Sequence, residues 1–371
     1  MTKQKILHVT FDMEMGGAEQ VIRQLIENSD VISFESSVLC LDSKVGVIGQ
    51  ELQKLGFNNI AFTRQPGLDL ALISQLRAHV LKENISVIHC HQYTPYVYGL
   101  LASFGTKSKV VFTEHGRFYP DGYKWKRYIL NPFLSFFTDV VVCISKATAD
   151  ALIKYENFPK RKVGVIYNGI KNVDLQLSSS ESINLRQSLG LTEHDIVFGT
   201  ISRLDPIKNQ MMMISAFQKV QQSHPQSKLL IIGDGPIREN LEQHTAELGL
   251  KDSVIFTGFI VNPQRYFCLM DIFLLPSLSE GTSMTLLEAM AFSIPCIVTN
   301  VGGNPEIVIN NESGLVVPND DAESLTKAMC LLLTDKELAS SLGTQGQHRY
   351  QDVFTIEKMV NAYQAIYMDL K

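Results

Sequence analysis

The chain has 371 residues, of which 45% are hydrophobic and 19% are charged, an ordinary balance for a globular protein. This length is enough for two domains, each with a core of its own. The net charge of -5 and the lack of a long basic run exclude a nucleic-acid-binding tract. No apolar run approaches the roughly 20 residues of a membrane-spanning helix, so we expect any membrane contact to be peripheral.

The six cysteines are widely spaced and show neither a disulfide framework nor a zinc pattern. The N-terminal sequence MTKQKILHVTF passes directly into a strand pattern and lacks the apolar core of a signal peptide. Together these features predict a cytoplasmic protein with reduced, buried thiols.

The first half of the chain alternates short apolar runs with longer amphipathic segments. The apolar runs predict buried strands at Ile6–Phe11, Ser37–Leu41, Ile60–Phe62, Val87–Cys90, Val110–Thr113, Val140–Ile144 and Val163–Tyr167. Helices are expected at about 18–28, 46–55, 69–83, 95–104 and 123–136, with Ser145 capping one more. This alternation favours a parallel, doubly wound sheet.

The polar, serine-rich stretch 171–184 is typical of a linker, and the alternation restarts after it. Strands are expected at Ile196–Ile201, Lys228–Ile232, Val254–Thr257, Ile272–Leu275 and Cys296–Thr299. Helices are expected at about 208–222, 236–248, 321–332, 335–349 and 356–370. The predicted fold class is therefore α/β, with two Rossmann-like doubly wound domains, 1–178 and 186–352, facing a central cleft.

The stretch 273–300, FLLPSLSEGTSMTLLEAMAFSIPCIVTN, carries the strongest functional pattern. A buried strand leads through turn formers into a helix that Thr282 or Ser283 can cap and that Pro295 is expected to end. Free N–H groups at such a helix start bind anions. Glu280 and Glu288 flank this point and can accept hydrogen bonds from hydroxyls. An anion with a polyol on either side is the outline of a sugar nucleotide.

The same two glutamates could instead be the acid pair of a glycoside hydrolase. Helical rise of about 1.5 Å per residue would place them roughly 10 Å apart. Hydrolases need about 5 Å for retention and about 6.5–9.5 Å for inversion, so this spacing disfavours a hydrolase pair. A solvated loop acid and a helix-surface acid are the plain alternative.

Other loops that follow predicted strands carry residues suited to a phosphate. Arg203 and Lys208, in SRLDPIKN, supply two cations that can stabilise a diphosphate leaving group where no metal is used. Gly16 and Gly17 allow close backbone approach to a phosphate or an acceptor, although a tight strand-to-helix turn explains them equally well. Gly233 and Gly235 lie in a GDGP turn, with the following proline predicted as the first helical residue.

His115 follows a predicted strand in TEHGRF and can hydrogen-bond a sugar hydroxyl or act near the reacting centre. A structural histidine with satisfied hydrogen bonds is the alternative. His89 and His91 resemble a metal pair only superficially, because the sequence shows no further ligand cluster beside them. We therefore predict no metal site.

The segment RFYPDGYKWKRY at 117–128 mixes aromatic and basic side chains. Such a segment can lie at an anionic membrane interface or hold an anionic acceptor. A partly buried amphipathic helix is the alternative. Candidate acceptor contacts are therefore Arg117, Tyr119, Lys124 and Trp125, together with Gly16.

These motifs together resemble the retaining glycosyltransferases of family 4, which have a GT-B-type fold. The resemblance rests on GGAEQ, EHG, SRLDPIKN, GDGP, SEGTSMTLLEAMA and GGNPEIV, and it extends over essentially the whole chain. It implies transfer of a sugar from a UDP- or GDP-sugar to a glycan or lipid-linked acceptor, as in surface polysaccharide or glycolipid synthesis. The anomeric configuration is retained and no metal or other cofactor is needed.

The resemblance also implies roles for individual residues. Arg203 and Lys208 become diphosphate ligands, Glu280 a donor-sugar contact and Glu288 a ribose contact. His115 faces the sugar, Gly16 and Gly17 form an acceptor or phosphate loop, and 356–371 packs back on the first domain. The catalytic set is His115, Arg203, Lys208 and Glu280, and the remaining donor contacts are Gly233, Gly235, Gly281, Thr282, Ser283, Met284 and Thr285.

The sequence departs from the family pattern at Thr282 and Ser283, where many members carry a bulky apolar residue and Gly or Pro. The identity of the donor sugar is therefore open. The expected enzyme is a monomer or homodimer in the cytoplasm, or at the inner face of the membrane. A sugar-nucleotide epimerase of similar architecture and a non-catalytic sugar-nucleotide-binding module are the alternatives.

Overall fold

The computed structural model describes residues 3–116, 120–172 and 175–371. These residues form two compact units. The first consists of the chain up to Gly169 together with Ile356–Lys371, and the second is Ile170–Thr355. Each unit contains one parallel sheet with helices packed against it.

The first unit has a seven-stranded sheet in the order β3-β2-β1-β4-β5-β6-β7. Its strands are β1 (Gln4–Thr10), β2 (Phe34–Cys40), β3 (Asn58–Ala61), β4 (Val87–His91), β5 (Lys109–Glu114), β6 (Val140–Cys143) and β7 (Val163–Val165). The accompanying helices are α1 (Gly17–Glu27), α2 (Gly46–Lys54), α3 (Leu70–Glu83), α4 (Tyr93–Ser103), α5 (Trp125–Phe136) and α6 (Lys146–Glu156).

The second unit has a six-stranded sheet in the order β10-β9-β8-β11-β12-β13. Its helices are α7 (Ser179–Ser188), α8 (Gln210–Ser223), α9 (Arg238–Glu247), α10 (Met284–Ala291), α11 (Asn304–Ile307), α12 (Ala322–Thr334) and α13 (Lys336–Val353). The strands are β8 (Ile196–Ile201), β9 (Ser227–Ile232), β10 (Val254–Phe256), β11 (Ile272–Leu275), β12 (Cys296–Thr299) and β13 (Leu315–Val317).

The final helix, α14 (Ile356–Asp369), lies in the first unit although it follows the second unit in the chain. Tyr363 and Tyr367 on this helix are buried, and each hydroxyl bonds to a polar side chain of the first sheet. Because polar groups in a core need such partners, these bonds fix the helix against that sheet.

The central strands are buried on both faces, as their unbroken apolar sequences predict. All four residues of β11 and all four of β12 are buried. Aromatic side chains fill the two cores, with Phe112 against Tyr96 in the first unit and Phe198 against Phe217 in the second. Helices on both faces of a parallel sheet require strands of this kind.

Each sheet has a point where the strand order reverses, between β1 and β4 in the first unit and between β8 and β11 in the second. In open α/β sheets, ligands bind in the crevice outside the carboxyl ends of the strands at such a point. The loop after β8 contains Arg203 and Lys208, and the loop after β11 contains Glu280. This topology therefore accounts for the position of the predicted donor residues.

Several predicted boundaries are wrong. Part of the expected linker is helical, since α7 begins at Ser179 behind a capping box formed by Ser178 and Glu181. Pro236 lies in a turn two residues before α9 instead of at its first position. Helix α10 ends at Ala291, ahead of Pro295, and Ser293 then takes a left-handed conformation with φ 60°. Neither proline marks a helix boundary, because Pro236 precedes the start of α9 and Pro295 follows the end of α10.

Candidate active site

Lys208 is placed by a short turn after β8. Asp205 accepts a hydrogen bond from the backbone N–H of Ile207 and so begins a 3-10 turn over Pro206–Lys208. Asn209, with φ 54°, separates this turn from α8, which begins at Gln210. The observed helix therefore begins two residues later than the predicted one at 208–222. Lys208 is the last residue of the turn that precedes it.

The side chains of Lys208 and Glu280 meet in the second unit. Nζ of Lys208 lies 2.6 Å from Oε1 of Glu280, and the hydroxyl of Ser277 donates to the same oxygen at 2.7 Å. The Glu280 side chain is 8% exposed and that of Lys208 is 24% exposed. A charge-assisted pair in such a partly desolvated setting holds the carboxylate in one orientation. The structure thus brings Lys208, the predicted diphosphate ligand, into contact with Glu280, the predicted donor-sugar contact.

Two further contacts fix the loop that carries Glu280. The N–H of Leu278 donates to the carbonyl of Ile207 at 2.8 Å, which ties this loop to the Lys208 turn. The N–H of Gly303 donates to the carbonyl of Glu280 at 3.1 Å. A Cβ atom on Gly302, which has φ +49°, would overlap that same carbonyl. Only glycine permits this close approach.

The N-terminus of α10 follows directly. Ser283 is its N-cap, and its hydroxyl accepts from the backbone N–H of Leu286 at 3.4 Å. The N–H groups of Met284 and Thr285 precede the first intrahelical bond, so they are available to an anion together with the positive end of the helix dipole. Thr282 is buried beside them. Gly281 connects this helix end to Glu280 in the chain.

Glu288 lies one turn further along α10. The amide of Gln264 donates to Oε1 of Glu288 at 3.0 Å. Burial raises the pKa of Glu288 above its ordinary value, and the bond from Gln264 opposes that rise. A buried carboxylate with remaining acceptor capacity is suited to accept hydrogen bonds from ligand hydroxyls.

Arg203 stands apart from this cluster. Its side chain is 71% exposed, and its Nε lies 3.9 Å from the carboxylate of Asp205. Its carbonyl accepts from the Gln210 amide at 3.0 Å, so the backbone of the loop is held while the guanidinium extends into solvent. The structure thus brings Lys208 and Glu280 together and leaves Arg203 outside that pair.

Gly233 and Gly235 serve the packing of two loops. The N–H of Gly233 donates to the carbonyl of Gly258, and that of Gly235 donates to the side chain of Asp234. A Cβ on Gly233 would overlap the carbonyl of Ser202, and one on Gly235 would overlap that of Leu204. Both N–H groups are therefore used within the protein, which favours turn geometry over direct donor contact.

Gly16 and Gly17 lie in the first unit, at the start of α1. Gly16 is the N-cap in an extended conformation, and a Cβ there would meet the carboxylate of Glu19. A Cβ on Gly17 would meet nothing within 4 Å, so Gly17 presents an open backbone. Burial raises the pKa of the Glu19 carboxyl beside Gly16.

His115 also lies in the first unit, after β5. Its Nε2 is 2.7 Å from Nδ1 of His91, and Nε2 of His91 is 3.0 Å from Nδ1 of His8. His8, His89 and His91 bring nitrogen atoms within 4.8 Å of one another, an arrangement that could hold a metal ion. The expectation that no third ligand accompanies His89 and His91 is therefore wrong, because β1 supplies His8.

The acceptor residues are only partly described. Arg117 and Tyr119 lie outside the described residues. Lys124 precedes α5, and Trp125 at its start is 68% exposed. Arg127 turns inward, with its guanidinium 3.7 Å from the Tyr93 ring centre and 3.0 Å from the buried Glu156 carboxylate. Arg127 is thus a structural cation. Among the described residues, no helix meets the length and hydropathy needed to cross a bilayer.

Three contributors were absent from the sequence prediction: Ser277, Gln264 and Gly302. Ser277 and Gln264 orient Glu280 and Glu288, and Gly302 makes room for the Glu280 carbonyl. Only Gly302 left a signal, as the first glycine after β12 in the quoted GGNPEIV segment. The other two are ordinary polar residues whose partners are distant in sequence.

Family models match both units. Residues 15–172 match the model described as Glycosyltransferase Family 4, and residues 181–349 match that described as Glycosyl transferases group 1. Among solved structures, a glycosyltransferase from Rickettsia africae superimposes with a TM-score of 0.89 at 19% identity, covering 100% of this chain and 99% of that one. The Anabaena protein HepE in complex with UDP-glucose gives 0.86 at 22% identity, with 98% and 99% covered. Both likenesses establish a GT-B fold.

Curated relatives match over nearly the full length. The N-acetyl-alpha-D-glucosaminyl L-malate synthase of Bacillus anthracis is 28% identical, covering 94% of this chain and 91% of the relative. A UDP-Gal:alpha-D-GlcNAc-diphosphoundecaprenol alpha-1,3-galactosyltransferase of Escherichia coli is 25% identical, covering 100% and 98%. The chain belongs to the family 4 glycosyltransferases, and it is a glycosyltransferase enzyme.

Proposed function

We propose that this enzyme is a retaining, metal-independent glycosyltransferase that moves a sugar from a UDP- or GDP-sugar to a glycan or lipid-linked acceptor. One observation carries the proposal. Lys208 and Glu280 meet at the switch point of the second sheet, four residues before the N-terminus of α10. A cation, an anion-binding helix end and a fixed carboxylate together match a sugar attached to a diphosphate.

The leaving group is the diphosphate. As the bond from C1 to the diphosphate oxygen weakens, negative charge develops on that oxygen. Lys208 and the N–H groups of Met284 and Thr285 stabilise this charge, and the exposed Arg203 side chain can swing toward it. Two basic side chains and a helix end supply the positive charge that a divalent cation supplies in other transferases, which supports metal independence.

The carboxylates bind hydroxyls on either side of the diphosphate. Glu280 accepts from the donor sugar and Glu288 accepts from the ribose. Glu280 is an unsuitable covalent nucleophile, because its Oε1 already receives hydrogen bonds from Lys208 and Ser277, which withdraw electron density. The acceptor hydroxyl therefore attacks from the same face as the departing diphosphate, and a phosphate oxygen takes its proton. Configuration at C1 is then retained.

The nucleotide is drawn from the relatives. HepE is solved with UDP and with UDP-glucose, and the Escherichia coli relative is named for UDP-Gal. A mannosyltransferase from Mycolicibacterium smegmatis, 32% identical over 173 residues, is named as GDP-mannose-dependent. These names support both uridine and guanosine donors for this chain, used in polysaccharide or glycolipid synthesis.

A lipid-linked acceptor places the enzyme at an anionic membrane surface, and α5 is suited to that contact. Five apolar side chains on α5 and at its C-cap are 41–73% exposed: Ile129, Leu130, Phe133, Phe136 and Phe137. Lys162 donates to the carbonyls of Phe136 and Thr138 at the end of α5, and it follows the exposed Lys160 and Arg161 in the chain. Exposed aromatic and aliphatic side chains flanked by basic residues fit an anionic lipid surface.

The test is a transfer reaction followed by proton NMR. The enzyme is incubated with each of UDP-glucose, UDP-galactose, UDP-N-acetylglucosamine and GDP-mannose, with and without L-malate or an N-acetylglucosaminyl diphospho-lipid. We expect an α-linked product that forms only when acceptor is present, with no added metal and with EDTA. Conversion of the donor without acceptor indicates an epimerase, and an unconsumed donor that still binds indicates a binding module. A β-linked product would overturn retention.

A further inference from the structure

Three histidines from successive parts of the first sheet form a continuous hydrogen-bonded chain. His8 lies on β1, His91 ends β4, and His115 follows β5. Nδ1 of His8 is 3.0 Å from Nε2 of His91, and Nδ1 of His91 is 2.7 Å from Nε2 of His115. Their rings are also stacked in order, with centroids 5.3 and 5.0 Å apart. We call these residues the histidine chain.

The histidine chain ends at Nδ1 of His115. Nδ1 of His115 is enclosed and has no hydrogen-bond partner among the described residues. A buried polar atom left in this state is costly unless a ligand or an ordered water completes it. Since Nε2 of the same ring is held by His91, Nδ1 is the ring nitrogen of His115 that the described residues leave for a ligand.

Burial disfavours the charged form of every ring in the histidine chain. Burial lowers the pKa of His8 to about 3 and that of His115 to about 3, and burial lowers the pKa of His91 well below its ordinary value. The neighbouring groups are also neutral. His89 bonds through one nitrogen to the Tyr367 hydroxyl and through the other to Thr113, whose hydroxyl is 3.2 Å from that of Tyr363.

We propose that His8 and His91 are positioning residues for His115, and that the three rings share one tautomeric state, all Nδ1-protonated or all Nε2-protonated. The proposal rests on the proposed function and on the role that the family resemblance implies for His115, which is to face the donor sugar. His91 acts through His115: it holds the ring in place and decides whether Nδ1 donates to the substrate or accepts from it.

The shared tautomer follows from proton bookkeeping. A neutral imidazole has one N–H donor and one bare nitrogen acceptor, so each contact between two rings needs exactly one proton. If Nδ1 of His8 donates to His91, then Nδ1 of His91 donates to His115, and the last proton lies on Nδ1 of His115. In the opposite order every Nε2 carries the proton, and Nδ1 of His115 accepts. Mixed tautomers would place two protons, or none, in one contact.

The same geometry disfavours a metal ion among His8, His89 and His91. Both nitrogens of His89 have hydroxyl partners at 2.7 Å, and both nitrogens of His91 have histidine partners. A metal would have to displace several of these hydrogen bonds to gain its ligands. Hydrogen bonding already accounts for the cluster, and metal content becomes an outcome of the test.

The test uses the whole protein labelled with 15N-histidine at pH 7. Long-range proton–nitrogen correlation spectra report the tautomer and charge of each ring, and single substitutions assign the signals. We expect the same neutral tautomer at His8, His91 and His115, whereas His89 serves as an internal control because it lies outside the chain. Differing tautomers within the chain, a charged ring, or stoichiometric metal in the purified protein would overturn the proposal. The tautomers are read from the wild-type spectra, and the substituted proteins serve only to assign the signals.

Substitutions at His91 test the positioning role. An asparagine amide can replace Nδ1 and keep the contact to His115, whereas a glutamine amide can replace Nε2 and keep the contact to His8. We expect H91F to lower kcat by about tenfold to a hundredfold with a smaller change in KM, because His115 loses its alignment with the donor sugar. H91N should recover most of this loss and H91Q little. Equal loss in all three variants, at equal thermal stability, would contradict the positioning role.

The two readouts separate this inference from the proposed function. If the three histidines share a tautomer but no sugar is transferred, the histidine chain is supported and the proposed transfer reaction is refuted. Sugar transfer with unrelated tautomers would support the transferase and refute the chain.

Discussion

Lys208 and Glu280 are separated by 72 positions in the sequence, yet Nζ of the lysine lies 2.6 Å from a carboxylate oxygen of the glutamate. They follow β8 and β11, the two adjacent strands at which the order of the second sheet reverses. The sheet topology thus creates the contact, and the nearby start of α10 completes the site proposed for a phosphorylated sugar.

Lys208→Ala should lower kcat by about 10²–10³-fold, because charge on the leaving diphosphate loses its closest cation. Steady-state transfer kinetics measure this effect. Lys219→Ala is the matched control, since Lys219 is an exposed lysine on α8, outside the site. Unchanged kinetics in a folded Lys208→Ala variant would remove Lys208 from the reaction.

Gly302→Ala should weaken donor binding and lower the free energy of unfolding, because its Cβ would overlap the Glu280 carbonyl. Gly249→Ala separates this effect from backbone strain. Gly249 has φ +72° and nothing within 4 Å of an added Cβ, so its substitution carries the strain without the overlap. Calorimetric titration with donor should show a loss in Gly302→Ala alone; equal donor affinities in the two variants would be incompatible with this explanation.

Glu288 should make the protein less stable as pH rises. Burial raises its folded pKa above the ordinary value of 4.5, so the native state holds this proton longer than the unfolded chain. The free energy of unfolding therefore falls as pH increases from 4.5 to the folded pKa. Glu288→Gln removes the ionisation and should flatten this part of the profile, as measured by urea unfolding across that pH range.

The control for Glu288→Gln is Glu312→Gln, because Glu312 is exposed. Its pH profile should match that of the wild-type protein. If Glu288→Gln also reproduced the wild-type profile, the carboxyl of Glu288 would not be the group responsible.

The combined substitution Phe133→Ser and Phe136→Ser should abolish binding to vesicles that contain phosphatidylglycerol. These side chains are 64% and 73% exposed, and burying each in lipid contributes on the order of 1.5–3 kcal/mol. Cosedimentation at low and high salt measures the bound fraction, and added salt should weaken binding. Leu70→Ser is the control, because Leu70 on α3 is also apolar and is 70% exposed. This substitution should leave vesicle binding unchanged. Absence of wild-type binding at low salt would contradict the lipid contact.

Much of the fold could be predicted from the sequence because buried parallel strands are continuous apolar runs. The Ile272–Leu275 and Cys296–Thr299 strands were placed at their observed bounds for this reason. Short elements were missed where this signal is weak. β13 has three residues and α11 has four, too few for either periodicity to be recognised.

The site was predictable in composition and less so in geometry. Lys208 and Glu280 were named from local motifs, but their mutual contact depends on which strands are adjacent in the sheet. The helix boundary near Lys208 was misplaced because Asn209 adopts a left-handed conformation, which an asparagine favours without requiring it. His8 and His91, 83 positions apart, became neighbours through the pairing of β1 with β4. No local pattern reports such pairing.

The position of Arg127 could not be predicted from composition. The basic and aromatic segment 117–128 has the composition of a membrane contact, but Arg127 is turned toward Glu156 on α6. The exposed apolar face of α5 instead continues beyond residue 128, as far as Phe137. Composition identifies a candidate surface, whereas the helix phase and the distant partner decide which side chains belong to it.

The most direct measurement is a thermal-shift titration of the wild-type protein and Lys208→Ala with UDP, GDP and their sugar conjugates. It tests whether the second unit binds a nucleoside diphosphate sugar through the Lys208–Glu280 pair, and it needs no acceptor. We predict concentration-dependent stabilisation of the wild-type protein by one nucleotide class, strongly reduced in Lys208→Ala. Stabilisation by none of these ligands, or by the same amount in both proteins, would contradict the account.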